Sequence, residues 1–206
     1  VLIEAKFDLV SLNKKTEKNK KLNQIKTSYY DLKLEYLNVP VFSKYGAIES
    51  YNDSLIYVSG ESEFFILKKN NEVDKKYIFK QLDINKIQNN KDKFVNKNKE
   101  ELGKLANNLF GVKDLLIESF DGFNNDVVIV SSLDYFEEND CYKISLFLSE
   151  IVDVESFKLN EWDKIFLSKK CLTIDLTQNP KFAAYSSGGR ISKLDEENII
   201  FTIGDF

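Results

Sequence analysis

The chain has 206 residues, 43% hydrophobic and 13% aromatic, enough for a sizeable core and too apolar for a wholly disordered polypeptide. Its 29 basic and 33 acidic residues nearly cancel, and no apolar run approaches the ~20 residues of a membrane-spanning helix, so neither bulk attraction to nucleic acid nor a membrane span is expected. The lack of any histidine excludes Ser-His-Asp and Cys-His catalysis and every imidazole ligand, and two cysteines cannot build a zinc ribbon or an iron–sulfur site.

In chain order, Val1 to Val10 has some strand character, and Leu12 to Lys26 is rich in lysine and asparagine. Lys14, Lys15, Lys18, Lys20 and Lys21 read as a solvated loop, because no aromatic residue interleaves them as a base-stacking surface would need. The chain holds 28 lysines against one arginine, Arg190, and 20 asparagines, a skew that an AT-rich coding sequence explains. Tyr29 to Val39 alternates, with Tyr30, Leu32, Leu34 and Tyr36 on one face, and predicts a half-buried strand closed by Pro40. Over Lys99 to Phe110, the apolar positions Leu102, Leu105, Ala106 and Leu109 predict a short helix with Gly111 as its C-cap.

Three windows share one grammar: an isoleucine-led strand, an Asp/Asn/Gly turn, then an apolar strand closing on small residues. They begin at Ile48, Ile117 and Ile191, in copies near 46–69, 112–151 and 188–206. The turns Asn52-Asp53, Asp121-Gly122 with Asn124-Asn125, and Asp195 to Asn198 all suit hairpins. A third strand follows in the first two copies, from Glu63 and from Cys141. Antiparallel sheets repeated in this way predict an all-β chain, a fragment of about three blades of a β-propeller with a short helical insertion. A β-sandwich of similar hairpins is the alternative. The endings Ser59-Gly60, Ser131-Ser132 and Gly204-Asp205 read as inner strands crowding a propeller axis. Three blades, the last incomplete, do not close a ring of four to eight, so residues 1–206 read as the N-terminal part of one propeller domain. Its remaining blades would lie on the same or a cleaved chain; Val1 and the lack of methionine suit a processed or truncated product.

The segment Ser186-SGGRISKLDEENIIFTIGD resembles the signature of the soluble quinoprotein glucose and sorbosone dehydrogenases, through Gly189, Arg190, Ile191, the turn at Asp195 and Thr202-Ile203-Gly204-Asp205. The stretch from Val112 to Asp134, with the later Cys-Tyr, is similar to an early blade of such proteins. The resemblance implies a six-bladed propeller that binds pyrroloquinoline quinone and calcium and oxidises a sugar by base-assisted hydride transfer. It places Arg190 at the cofactor and Asp205 beside the base. The base position itself holds Ser186, whose hydroxyl is a poor base near neutral pH. Asp205 would then serve as the carboxylate base, or else stand as a turn residue. Arg190 would clamp a carboxylate or tie blades together.

Two functions follow: a dehydrogenase-like propeller with a possible sugar ligand, whose catalysis the missing histidine calls into question, or a non-catalytic binding or structural propeller outside the cytoplasm, periplasmic or secreted. A third class is an intracellular interaction platform. Cys141 and Cys171 suit either one disulfide or two buried thiols. Asp134, Glu137, Glu138 and Asp140 lack the EF-hand spacing and read as a solvated acidic loop. Trp162 reads as core or inter-blade packing.

Overall fold

The computed structural model describes residues 23–26, 31–34, 46–70, 76–103, 110–173 and 188–204. The chain divides into two units, 1–40 and 41–206. In the first, β1 (Asn23–Lys26) pairs antiparallel with β2 (Asp31–Leu34). The strand expected over 29–39 is thus seen in part. The end of the lysine-rich stretch, read as loop, supplies its partner strand. Val1 to Val10 and the five clustered lysines lie outside the described residues.

The second unit holds two antiparallel meanders and a hairpin. Sheet A runs β3 (Gly46–Tyr51), β4 (Ser54–Ser59), β5 (Phe64–Asn70) and β6 (Lys76–Gln81) in sequence order. Sheet B runs β7 (Val112–Glu118), β8 (Val127–Phe136) and β9 (Cys141–Asp153). Against β9 pair both β10 (Lys158–Leu159) and β11 (Asp163–Leu167). Hairpin C is β12 (Gly188–Lys193) with β13 (Ile199–Ile203). The three predicted turns sit between β3 and β4, β7 and β8, and β12 and β13, and Asn52 takes the left-handed φ of 50° that asparagine tolerates.

Register shows how the pieces stack. Ile48 opposes Tyr57, Ile117 opposes Val128, and Ile191 opposes Phe201, so each leading isoleucine shares a face with the middle of the next strand. Ile117 and Val128 pack on Ile56, Val58, Phe64 and Ile66 of sheet A. Ile191 and Phe201 pack on Leu116, Val127, Ile129 and Leu146, which belong to the opposite face of sheet B. Sheet B therefore shows one face to sheet A and the other to hairpin C. In each junction the rear face carries the leading isoleucine, and the front face of the preceding sheet meets it. Tyr51 adds a polar link at the A–B junction, its hydroxyl donating to Asp126 Oδ2 at 2.9 Å.

Two expectations are corrected. The helix is α1 (Lys91–Leu102), closed by Gly103 rather than Gly111. It carries few apolar residues, and what docks it is Phe94, stacked on Phe110 at 4.8 Å and edge-on to Tyr135 at 5.4 Å. Leu105, Ala106 and Leu109 lie outside the described residues. Gly111 instead stands before β7 against Gly60, where a Cβ would fall 2.6 Å from the Gly60 carbonyl oxygen. The small-residue endings of the first two copies also lie elsewhere than expected. They sit on β4 and β8, each flanked by strands on both sides, rather than on an inner edge strand. Their smallness serves the places where neighbouring segments cross: Ser59, Ser131 and Ser132 are fully buried, and Asn89 Nδ2 donates to Ser132 Oγ at 2.8 Å.

Candidate functional site

Of the expected site residues, Arg190 is described, whereas Ser186 and Asp205, the expected base position and carboxylate, lie outside the described residues. Two β-bulges face each other where β7 meets β12. In β7 an extra residue, Lys113, falls between the paired Val112 and Asp114, and in β12 one falls between Gly188 and Ile191. A bulge redirects side chains and bends its strand. Here the bend brings Gly189 so close that a Cβ on it would lie 2.7 Å from the Lys113 Cβ. Gly188 and Gly189 have φ of 71° and 109°, the region that favours glycine, so the Gly-Gly pair has both a conformational and a steric cause.

Asp114, which the sequence reading did not single out, organises this junction. Its carboxylate is buried in the A–B–C stack and accepts from Arg190 Nη1 at 3.0 Å and from the Ile191 backbone N–H at 2.9 Å. Ser131 adds a bond from its hydroxyl to the Gly189 carbonyl. The Arg190 backbone N–H donates to Thr202 Oγ1 at 3.0 Å. The Arg190 side chain remains 81% exposed beside an Asp114 side chain that is 8% exposed. Arg190 thus bonds from hairpin C to sheet B through the Asp114 carboxylate. Much of its fork still faces solvent. Burial pushes the half-buried Lys113 ammonium down to about 8. The only signal for Asp114 in the sequence is an acid set within the apolar run Val112-KDLLI, and nothing there announces a bulge.

For the implied quinone and calcium, the described residues offer one anion-binding fork, on Arg190, which suits a carboxylate. No group of three acidic or cysteine side chains able to hold a metal is found among the described residues. The acidic loop is engaged elsewhere. Glu137 pairs with Lys93 and Asp140 with Lys97, docking α1, while Tyr135 donates to Asp140. Asp134 is fully buried, bound by Lys164 and Ser145, with Lys164 also over the rings of Phe136 and Phe147. Trp162 is inter-sheet packing, as expected: it stacks on Phe64 of sheet A at 5.7 Å and donates to the Asn85 carbonyl at 2.8 Å. Asn52-Asp53-Ser54, which matches the Asn-X-Ser acceptor pattern for glycosylation, spans the β3–β4 turn.

Cys141 and Cys171 form a disulfide. Next to it Tyr142 and Leu172 exchange backbone bonds of 2.8 and 2.9 Å. The Tyr142 hydroxyl is buried with no hydrogen-bond partner among the described residues, and burial pushes it up to about 12. Tyr51 is also raised to about 12, first by burial and then by its bond to Asp126. Both side chains are held neutral in the fold while the unfolded chain ionises near 10. Their contribution to stability is therefore full below pH 10 and falls between pH 10 and 12. Tyr142→Phe is expected to keep or raise stability at neutral pH, by up to about 1 kcal/mol, since it deletes an unpaired buried hydroxyl. It should also shrink the alkaline loss; denaturant melts at pH 8 and 11 check both.

No helix among the described residues is long and apolar enough to cross a membrane. No protein-family model matches the chain, and neither a curated protein nor a solved structure matches it.

Proposed function

We propose that this chain forms adjoining blades of a β-propeller that works outside the cytoplasm as a binding or structural module, descended from the quinoprotein sugar-dehydrogenase scaffold without its chemistry. The observation that carries this reading is the use of Arg190. It is bonded to Asp114 as part of a joint between sheet B and hairpin C, a structural role that needs no cofactor. The serine at the base position points the same way. Support for the propeller comes from the stacking order, in which front face meets rear face at both junctions. The disulfide suits an oxidising compartment.

The dehydrogenase itself is the second reading, favoured by the exposed part of the Arg190 fork. Titration with pyrroloquinoline quinone and calcium, followed by dye reduction over a panel of aldoses, separates the two. The module reading expects no sugar-dependent reduction, whether or not the quinone binds. Turnover that is lost in Asp205→Asn would overturn it and make Asp205 the base.

A further inference from the structure

The chain contains a single Asp-Gly pair, Asp121-Gly122, and no Asn-Gly pair. The pair is exposed in the turn between β7 and β8. Gly122 has a φ of 86°, and a Cβ built on it would meet nothing within 4 Å. Among the described residues, no hydrogen bond is made to the Asp121 carboxylate or from the Gly122 N–H. Asp53, in the β3–β4 turn, stands differently: Ser54 follows it, with a side chain that crowds the amide and a backbone paired with Tyr51. A glycine nitrogen after an aspartate is the least shielded nucleophile for that carboxyl group, because no side chain blocks its approach and its backbone turns freely. The Gly122 nitrogen attacks Asp121 Cγ. A C–N bond forms, the carboxyl C–O bond breaks, and the oxygen leaves as water with the amide and carboxyl protons. Water then reopens the five-membered imide. Opening at Cγ restores aspartate. Opening at the Asp121 main-chain carbonyl carbon leaves isoaspartate, with the chain routed through Cβ and a free α-carboxylate. The atoms balance with no oxidant or cofactor, and the mass is unchanged.

We propose that Asp121 is a modification site, isomerised spontaneously to isoaspartate as the chain ages, and that the change loosens hairpin C. The turn is one of the places where sheet B holds that hairpin. The Asp121 N–H donates to the Glu196 carbonyl at 2.8 Å. Lys193 donates to the Ser119 carbonyl at 2.9 Å and lies over the Phe120 ring. Isoaspartate inserts a methylene into the main chain beside the Asp121–Glu196 bond. It also puts a carboxylate on Cα, next to the carbonyl oxygen that the N–H reaches. Loss of that bond releases the turn between β12 and β13, whereas the Asp114–Arg190 bond, at the other end of the hairpin, is untouched. The free α-carboxylate is the group that an isoaspartate-specific carboxyl methyltransferase esterifies, so the aged chain is a substrate for an enzyme of that class.

The test is to hold the folded, purified chain for weeks at physiological temperature and neutral pH, beside Asp121→Glu and Asp53→Glu. Glutamate keeps the charge and the backbone N–H but would have to close a larger ring, which forms far more slowly. Isoaspartate is read by transfer of labelled methyl groups from S-adenosylmethionine with a purified isoaspartate methyltransferase, and is located by peptide mapping. The parent and Asp53→Glu are expected to accumulate the label at residue 121, and Asp121→Glu to lose it. Hydrogen exchange is measured on fresh and aged chains. It should quicken with age over 194–198 in the parent and stay constant in Asp121→Glu. A short peptide spanning residues 118–126 serves as the unfolded reference. If the peptide takes up label and the folded parent does not, the fold shields the turn and the site is overturned. Label that persists in Asp121→Glu overturns it as well. Isoaspartate at 121 with unchanged exchange over 194–198 keeps the site and sinks the loosening of hairpin C.

Discussion

Reduction of the Cys141–Cys171 disulfide is expected to lower unfolding stability by about 3.5 kcal/mol, the loop-closure entropy of a crosslink spanning 30 residues. The bond joins the start of β9 to the segment after β11, so the closed loop contains the whole β9–β10–β11 edge of sheet B. Its release frees the short Tyr142–Leu172 bridge and the Ser168 contacts, in which the Ser168 N–H donates to the Ile144 carbonyl at 2.9 Å. The measurement is a urea titration of the oxidised chain against Cys141→Ser/Cys171→Ser, with hydrogen exchange to locate the loss. Faster exchange should concentrate over 163–172 and in β9. A uniform change across sheets A and B would mean that the crosslink acts on the unfolded chain alone. A difference below about 1 kcal/mol would contradict both.

The second large effect belongs to Asp114. Replacing it with alanine removes the acceptor for the Ile191 N–H and the partner of Arg190 together, at a carboxylate that is buried. An unpaired buried N–H costs about 1–3 kcal/mol, and the loss of a charge-assisted bond adds to it, so Asp114→Ala should cost about 2–4 kcal/mol. Arg190→Ala should cost at most about 1 kcal/mol, since that side chain is mostly in solvent. Asp114→Asn should fall between, because an amide oxygen still accepts one of the two bonds. Chemical denaturation of the three variants gives the order, and exchange in β12 and β13 should rise most in Asp114→Ala. Equal small effects for Asp114→Ala and Arg190→Ala would show that the pair does not hold hairpin C.

The hairpins of the second unit were legible because their information is local. Alternation and turn residues place the β3–β4, β7–β8 and β12–β13 hairpins within a few residues, and the third strands after Glu63 and Cys141 follow the same rule. The start of α1 at Lys91 was not foreseen, for a physical reason. Its sequence from Lys91 is mostly lysine, asparagine and acid, and Phe94 docks by finding two aromatic rings supplied from Phe110 and β8, which no helical periodicity records. The site was half legible. Arg190 stood out as the one arginine, but its carboxylate partner lies 76 residues earlier and is joined to it through two bulges. Bulges are set by the fit between sheets, so Lys113 and Asp114 read as ordinary strand residues until the register is known. The disulfide followed from cysteine count only as one of two options, and the pairing of Cys141 with Cys171 needed the fold.

The bulge at Lys113 has one more consequence, for how this strand tolerates change. Side chains of β7 on the near side of the bulge and those beyond it are already in step with the same two cores: Val112 lies with Leu115 and Ile117 against sheet A, and Asp114 with Leu116 toward hairpin C. Lys113 is the surplus residue between them. Elsewhere in a two-sided strand, loss of one residue reverses every side chain beyond it. Here the loss of this one would merely restore an unbroken ladder. Lys113 is thus the residue that sets the phase of the strand, and the side chains on either side of it already point to their own cores.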